Sequence, residues 1–340
     1  MFTNVPAPLP DECLRSYGYR VFEENKRPIK MTRNLLQDLH RASRLSIDHL
    51  VRHHTHLGYF RFVSEKYFDQ EISRHPDLHT NRMINAGLTP SRTANYCPKC
   101  IEEDCDFHGL SYWRRSHQLP GVNHCSKHSV SLYMVDPECL IRCQPSQTKK
   151  FSGRRHAIPL SERDIYFNSK LIQRFTTLSE TALDQTTSIK QDNITAVFHA
   201  RYKQISTGDF NIFTSDSLEN LPTSWRLHLS KRTTSYDAML GSLVRLINSA
   251  QAPYRTQQYL LIMAMLWENP DEALNECISK LNCNEDSYCS SAAKDALEDV
   301  LRGASITSAC RKHGVLIKDF DRALQNFLRH RNDLTNMMAS

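Results

Sequence analysis

Apolar positions recur at helical spacing in several short windows of this chain. Leu14, Tyr17 and Val21 form a first stripe, preceded by Pro8 and Pro10, with Asp11 placed to cap the helix. Leu35, Leu36, Leu39 and Ala42 form a second, with Thr32 or Asn34 as its cap. Ser43 to Ser46 reads as a turn, and Ser46 as the cap of a further helix lined by Ile47, Leu50 and Val51. Two such helices over 32–56 have the spacing of a helix-turn-helix, with Asp48, His49, Arg52 and His53 on the free face.

The second half of the chain is also periodic. Tyr236 to Ile247, Thr256 to Trp267 and Glu272 to Leu281 read as helices, with Pro253 and Pro270 as breaks. Tyr259, Leu260, Ile262, Met263 and Leu266 form a core stripe. The end of the chain repeats the helix-turn-helix pattern. One helix runs from about Ala292 to Arg302 and stops at Gly303; Ser305 caps a second, through Ala309 and Cys310 to His313; Gly314 turns into a third, holding Ile317, Phe320, Ala323, Leu324 and Phe327. Arg311 and Lys312 lie on the second of these. Between the halves, 144–160 carries Lys149, Lys150, Arg154 and Arg155 in a Pro-, Ser- and Gly-containing stretch, and 161–215 is polar and Thr-rich. The expectation is a mostly α protein: an N-terminal module over 1–143, a basic, polar linker and irregular segment over 144–215, and a helical domain over 216–340.

Composition narrows the class. The chain has 340 residues, 40 % hydrophobic and 24 % charged, so it can bury real cores. Glycine is scarce, at 10 residues, which disfavours a glycine-rich phosphate loop. No apolar run is long enough to span a membrane, and Met1 to Asp11 lacks a signal-peptide pattern. A cytoplasmic location is expected. Net charge is +6, and nine Lys/Arg against three acids between Lys26 and Lys66 account for that excess. The stretch, with Arg44 and Arg52, is either a solvated basic face or a surface for a polyanion or partner.

Eleven cysteines in a long chain without a signal peptide point to metal ligation and buried thiols rather than disulfides. Cys97-Pro98-Lys99-Cys100 and Cys125-Ser126-Lys127-His128 give C-x2-C-x24-C-x2-H. Two such pairs complete a tetrahedral Cys3His shell suited to one structural Zn2+ with no position for a catalytic water. Cys105 and His108 form a third pair at the same spacing, which either replaces one of the others or binds nothing; His117 and His124 lie nearby. Cys139 and Cys143 are half of any second site, with no partner pair, and are read as free. Glu102, Glu103, Asp104 and Asp106 read as a solvated loop. Neither a hydrolase triad nor a nucleotide loop is found, and no enzyme activity is expected.

The string from Tyr96 to Leu132, YCPKCIEED followed by YWRRSHQLPGVNHCSKHSVSL, resembles the signature of the TniQ/TnsD family of transposon target-site selectors. Pro10, Glu12, Leu14, Ser16, Tyr17 and Arg20 are similar to the family's opening, and Leu35 to Val51 fall where members carry a helix-turn-helix. The resemblance covers about the first 140 residues. It implies Cys97, Cys100, Cys125 and His128 as zinc ligands, and Trp113 and Leu119 as supports of the knuckle. Arg114 and Arg115 would serve either fold or binding. It further implies a non-catalytic role in recruiting an AAA+ ATPase regulator and transposase to target DNA. Longer members read a DNA attachment site. Shorter ones, which this chain is nearer in length, ride on a CRISPR effector complex of guide RNA and Cas proteins, often as homodimers. Arg44, Arg52, His53, Arg114, Arg115, Arg311 and Lys312 are the candidate contact residues. Several members carry a second cysteine knuckle, of which only Cys139 and Cys143 remain here.

Overall fold

The computed structural model of the chain describes residues 3–27, 35–60, 62–64, 93–150, 153–185, 188–205, 220–229, 243, 256–287, 295–296, 298–300 and 305–313. It is mostly helical, with short strands, and divides into two compact units, Met1–Leu274 and Asn275–Ser340.

The first three helices are α1 (Leu14–Glu24), α2 (Leu35–Ser43) and α3 (Ile47–His54). Their apolar stripes close on one another: Leu14, Tyr17, Val21, Phe22, Leu35, Leu36, Leu39 and Leu50 form one buried cluster. Each such side chain contributes about 1.5–3 kcal/mol on burial. Ser46 caps α3 as expected, its hydroxyl accepting from His49 N at 3.0 Å. Thr32 and Asn34 lie outside the described residues. Two details differ from the expectation. Asp11 does not cap α1; Cys13 holds that position without a side-chain bond, and the Asp11 carboxylate turns to Ser116 and Arg115. Ile47 is 39 % exposed, because Leu50 and His54, one turn apart, set the inward direction of α3.

After α4 (Leu57–Phe60) and β1 (Val63–Ser64) come β2 (Ala94–Tyr96), α5 (Pro98–His108), β3 (His124–Cys125), β4 (Val130–Ser131), β5 (Tyr133–Val135), α6 (Cys139–Arg142) and β6 (Arg155–His156). Strands β2, β5 and β6 form an antiparallel sheet in that order, and β3 pairs with β4 as a hairpin. The acidic run from Glu102 to Asp106 is not a loop. It lies on α5, which has Pro98 in its first turn and ends at Gly109 in the left-handed conformation, φ 73°.

The expected irregular segment over 144–215 is also corrected. It holds α7 (Arg163–Asn168), α8 (Lys170–Asp184), β7 (Ile189–Lys190) and α9 (Gln191–Ile205). Leu171, Ile172, Phe175, Leu178, Ala182 and Leu183 give α8 a full inward stripe. Thr176 and Ser179 are buried with them, which makes the segment look polar in sequence. Helix α4 sits so close to the end of α8 that a Cβ on Gly58 would lie 2.5 Å from Leu183 O. Strand β7 pairs in parallel with β1.

Helices α10 (Thr223–Leu229), α11 (Thr256–Leu266) and α12 (Pro270–Ser287) follow. α11 is buried nearly all round rather than along one stripe, so it is a central helix. In the second unit, 298–300 are helical and α13 (Ile306–His313) begins at Ser305, whose hydroxyl accepts from Ser308 N at 3.2 Å. Ala309 and Cys310 are buried. Gly303, Gly314, the expected third helix over 317–327, and 236–247 apart from Leu243 lie outside the described residues.

Candidate metal centre and the cleft beside it

Four ligand atoms meet where β2 hands over to α5. Cys97 occupies the N-cap position of α5, and Cys100 sits in its first turn. The C-x2-C pair is thus a strand-to-helix junction rather than a tight loop. The second pair is a hairpin: Cys125 ends β3, and His128 lies in the turn before β4, where Ser129 takes a left-handed φ of 52° and its N–H reaches Cys125 O at 2.8 Å. The Nδ1 of His128 lies 3.5 Å from Cys97 Sγ, 3.4 Å from Cys100 Sγ and 3.5 Å from Cys125 Sγ; Cys100 and Cys125 sulfurs are 3.7 Å apart.

These spacings can be tested against a metal. Zinc–sulfur bonds of about 2.3 Å and zinc–nitrogen bonds of about 2.0–2.1 Å place tetrahedral ligands about 3.8 Å apart for S to S and about 3.5 Å for S to N. The observed distances match both values. All four ligand atoms lie within 4.8 Å of one another, so the group can hold one metal ion. Three thiols packed this closely cannot all ionise alone: hydrogen bonds from Cys100 and Cys125 drive Cys97 down, while bonds to Cys125 and Cys97 drive Cys100 up. A divalent cation resolves that conflict by stabilising all three thiolates.

The ligands are held from behind. His128 Nε2 donates to Glu103 Oε1 at 2.9 Å, which orients the ring and leaves Nδ1 free for a metal. Lys127 also pairs with Glu103. His117, buried beside Cys100 with its Nε2 4.0 Å from the sulfur, has its pKa lowered to about 4 by burial. Leu132, Met134 and Ala157 pack against the sulfurs. Leu119 is buried, and Trp113 stacks edge-on against Tyr96 at 5.9 Å while its indole N–H donates to Cys143 O at 2.8 Å. Cys105 and His108 stay outside the ligand group, as do Cys139 and Cys143. The last two are buried with Trp113, and Cys143 Sγ donates to Cys139 O.

A cleft of about 860 Å³ opens beside this centre. It brings together Arg52, His53, Arg114 and Arg115 from the expected contact residues, with His49, Lys127, Glu180 and Asp184, and Pro8 to Asp11 along one edge. The four arginine and histidine positions differ in kind. Arg115 is almost wholly buried: Nε meets Asp11, one terminal nitrogen donates to Arg52 O at 2.8 Å and Thr55 O at 3.1 Å, and the other to Asp184 at 2.8 Å. It therefore caps the end of α3 and ties it to the N-terminal lead and to α8. Arg114 pairs with the buried Asp104 at 2.5 Å. Arg52 and His53 are exposed; Arg52 pairs with Asp48 one turn away, and burial with His49 nearby lowers the His53 pKa. Arg44 is exposed in the turn between α2 and α3, with φ 60°. In the second unit, Arg311 is exposed and Lys312 pairs with Asp299 at 2.7 Å.

Sequence reasoning missed Asp184 and Glu180 because they belong to α8, which was read as irregular. It assigned Asp11 as a cap, although Ser116 N and Oγ both bond its Oδ2.

Comparison with known proteins finds similarity in the N-terminal part of the chain. The TniQ family model matches residues 4–132. Transposon Tn7 transposition protein TnsD of Escherichia coli is 25 % identical over 107 residues, covering 29 % of this chain and 21 % of TnsD. The chain thus spans about a fifth of that relative's length. All four residues of the candidate metal cluster, and helices α1 to α5, fall within the TniQ match.

Proposed function

We propose that this chain selects target sites for DNA transposition as a non-catalytic adaptor. The observation that carries this reading is the TniQ match over 4–132 with a closed four-ligand centre inside it. The ion is Zn2+, favoured by three thiolates and one imidazole at tetrahedral spacing. With four protein ligands it has no open position, so its role is to hold β2, α5 and the β3–β4 hairpin together. Helices α2 and α3 serve as a helix-turn-helix that presents Arg44, Arg52 and His53 to a partner, with Arg114 and Arg115 behind them. That partner is a CRISPR effector ribonucleoprotein, and the chain, as a homodimer in the cytoplasm, links it to an AAA+ regulator and transposase.

A second reading is a TnsD-type selector that reads an attachment site itself. The capped helix α13, with Arg311 exposed on it, favours this reading. One experiment separates the two. Purified protein is mixed with fragmented host DNA at about 0.15 M salt, where nonspecific phosphate binding is weak, and bound fragments are sequenced. A single enriched locus establishes direct reading. Absence of enrichment, together with co-elution with an effector ribonucleoprotein, establishes the adaptor. Failure of both removes target selection.

A further inference from the structure

Strand register lines up three rings on one face of the β2–β5–β6 sheet. Tyr133 of β5 stands opposite Tyr96 of β2 and opposite His156 of β6. The Tyr96 and Tyr133 rings stack at 5.6 Å and 24°, and Tyr133 and His156 lie 4.3 Å apart at 34°. Arg154, two residues before His156, lays its guanidinium 3.7 Å from the Tyr133 ring centroid. Arg163 donates to His156 Nδ1 at 3.1 Å, and its Nε is buried with no hydrogen-bond partner.

The charge around this row is uncompensated. Among the described residues, no carboxylate pairs with Arg154, Arg155 or Arg163. Arg20, Arg52, Arg114, Arg115, Arg142 and Arg201 of this unit each have a carboxylate partner, whereas the exposed Arg41 and Arg44, like Arg154, have none among the described residues. Arg154 and Arg155 are exposed, and β6 is an edge strand. Tyr96 is buried at the inner end of this row, while Tyr133 and His156 are partly exposed and capped by a flat cation, an arrangement that matches one ligand chemistry. Nucleobases stack on aromatic and guanidinium planes, and their phosphates seek unpaired arginines. A duplex keeps its base faces covered, so the strand must be single.

We propose that this sheet face is a stacking platform for single-stranded nucleic acid, with Arg154 and Tyr133 taking a base and Arg163 its phosphate; Arg155, paired with Met134, faces the other side of the sheet. The proposal stands apart from target selection, and its test needs no transposition partner. The full chain is titrated with dye-labelled strands of about 15 nucleotides, a length within or near one site. Deoxythymidine, uridine and abasic strands are compared by fluorescence anisotropy at about 0.1 M salt.

Base-bearing strands are expected to bind several-fold more tightly than abasic ones. Arg154→Ala and Tyr133→Leu should each weaken them by about tenfold, and Arg154→Lys, which keeps the charge but loses the plane, should stay weak. Arg142→Ala, which removes an exposed arginine paired with Glu138, should bind as the parent does. Arg154 is an exposed side chain, so Arg154→Ala tests the proposal even where Tyr133→Leu fails to fold. Tighter binding of uridine or of deoxythymidine identifies the source as RNA or DNA, and either supports the platform. Equal binding of abasic strands, full recovery in Arg154→Lys, or no loss in Arg154→Ala overturns it.

Discussion

The guanidinium of Arg20 grips the carboxylate of Glu12 through both oxygens, at 2.9 Å and 2.7 Å, with the two side chains 6 % and 0 % exposed. Ser16 donates to the same carboxylate at 3.0 Å and accepts from Trp113 N at 3.1 Å. The opening of the chain is thereby stitched to the segment that bears the metal ligands. A buried pair of this kind tolerates joint replacement better than loss of one partner, because a lone buried charge has nothing to offset its desolvation. Arg20→Met is expected to cost about 3–5 kcal/mol in urea unfolding. Adding Glu12→Leu should restore part of it; a double variant weaker than the single one would refute this account.

Removing one ligand should release the metal. Cys97→Ser is expected to purify with much less than one equivalent of zinc by elemental analysis and to melt at a lower temperature than the parent. Glu103→Gln leaves the shell complete but weakens the support behind His128. It should lower zinc affinity by about 10–100-fold in a chelator competition. An unchanged melt in Cys97→Ser would end the structural-metal reading.

His54 gives a stability signature in pH. It is buried, its Nδ1 donates to Glu12 O at 2.9 Å, and burial lowers its pKa from 6.5 to about 4. Between those values the unfolded chain binds the proton and the folded chain does not. Stability is therefore present above pH 6.5 and falls on acidification towards pH 4, by about 1.4 kcal/mol per pH unit for each such group. His54→Gln should flatten the slope of unfolding free energy against pH between 6 and 5. A slope equal to the parent's would show that His54 is protonated in the fold.

Arg115 and Arg52 line one cleft but should behave differently when truncated. Arg115→Ala leaves the Arg52 and Thr55 carbonyls at the end of α3 without their donor and is expected to cost several kcal/mol, on the order of 2–4. Arg52→Ala removes only an exposed pair with Asp48 and should stay within about 0.5 kcal/mol. If Arg52 meets a partner, Arg52→Ala loses binding with an unchanged melt.

What could be read beforehand follows the range of the forces involved. Ser46, Ser305 and the apolar stripes of α1 and α2 act within a turn or two, and their spacing carries the signal. The clustering of Cys97, Cys100, Cys125 and His128 was legible for the same reason: each pair is local, and only the link between pairs is long. Asp11 was misplaced because its partners are more than 100 residues away, at Arg115 and Ser116. Helix α8 was missed because Thr176 and Ser179 face inward, so its apolar stripe is broken in composition though continuous in space. The acids of α5 read as a loop in sequence because Glu103 and Asp104 serve His128 and Arg114 at a distance rather than each other.

Strand β6 begins after residue 154, beyond the stretch that similarity covers, yet it completes the sheet whose first strand leads into Cys97. Ala157 N binds Leu132 O at 2.8 Å beside the sulfurs, and the Trp225 indole donates to Gly121 O at 2.8 Å. The segment recognisable across relatives is thus smaller than the piece that folds around it. A chimaera joined at residue 132 would exchange ligands without exchanging the strand and the indole that close over them, so swaps between relatives call for a junction well downstream of Trp225.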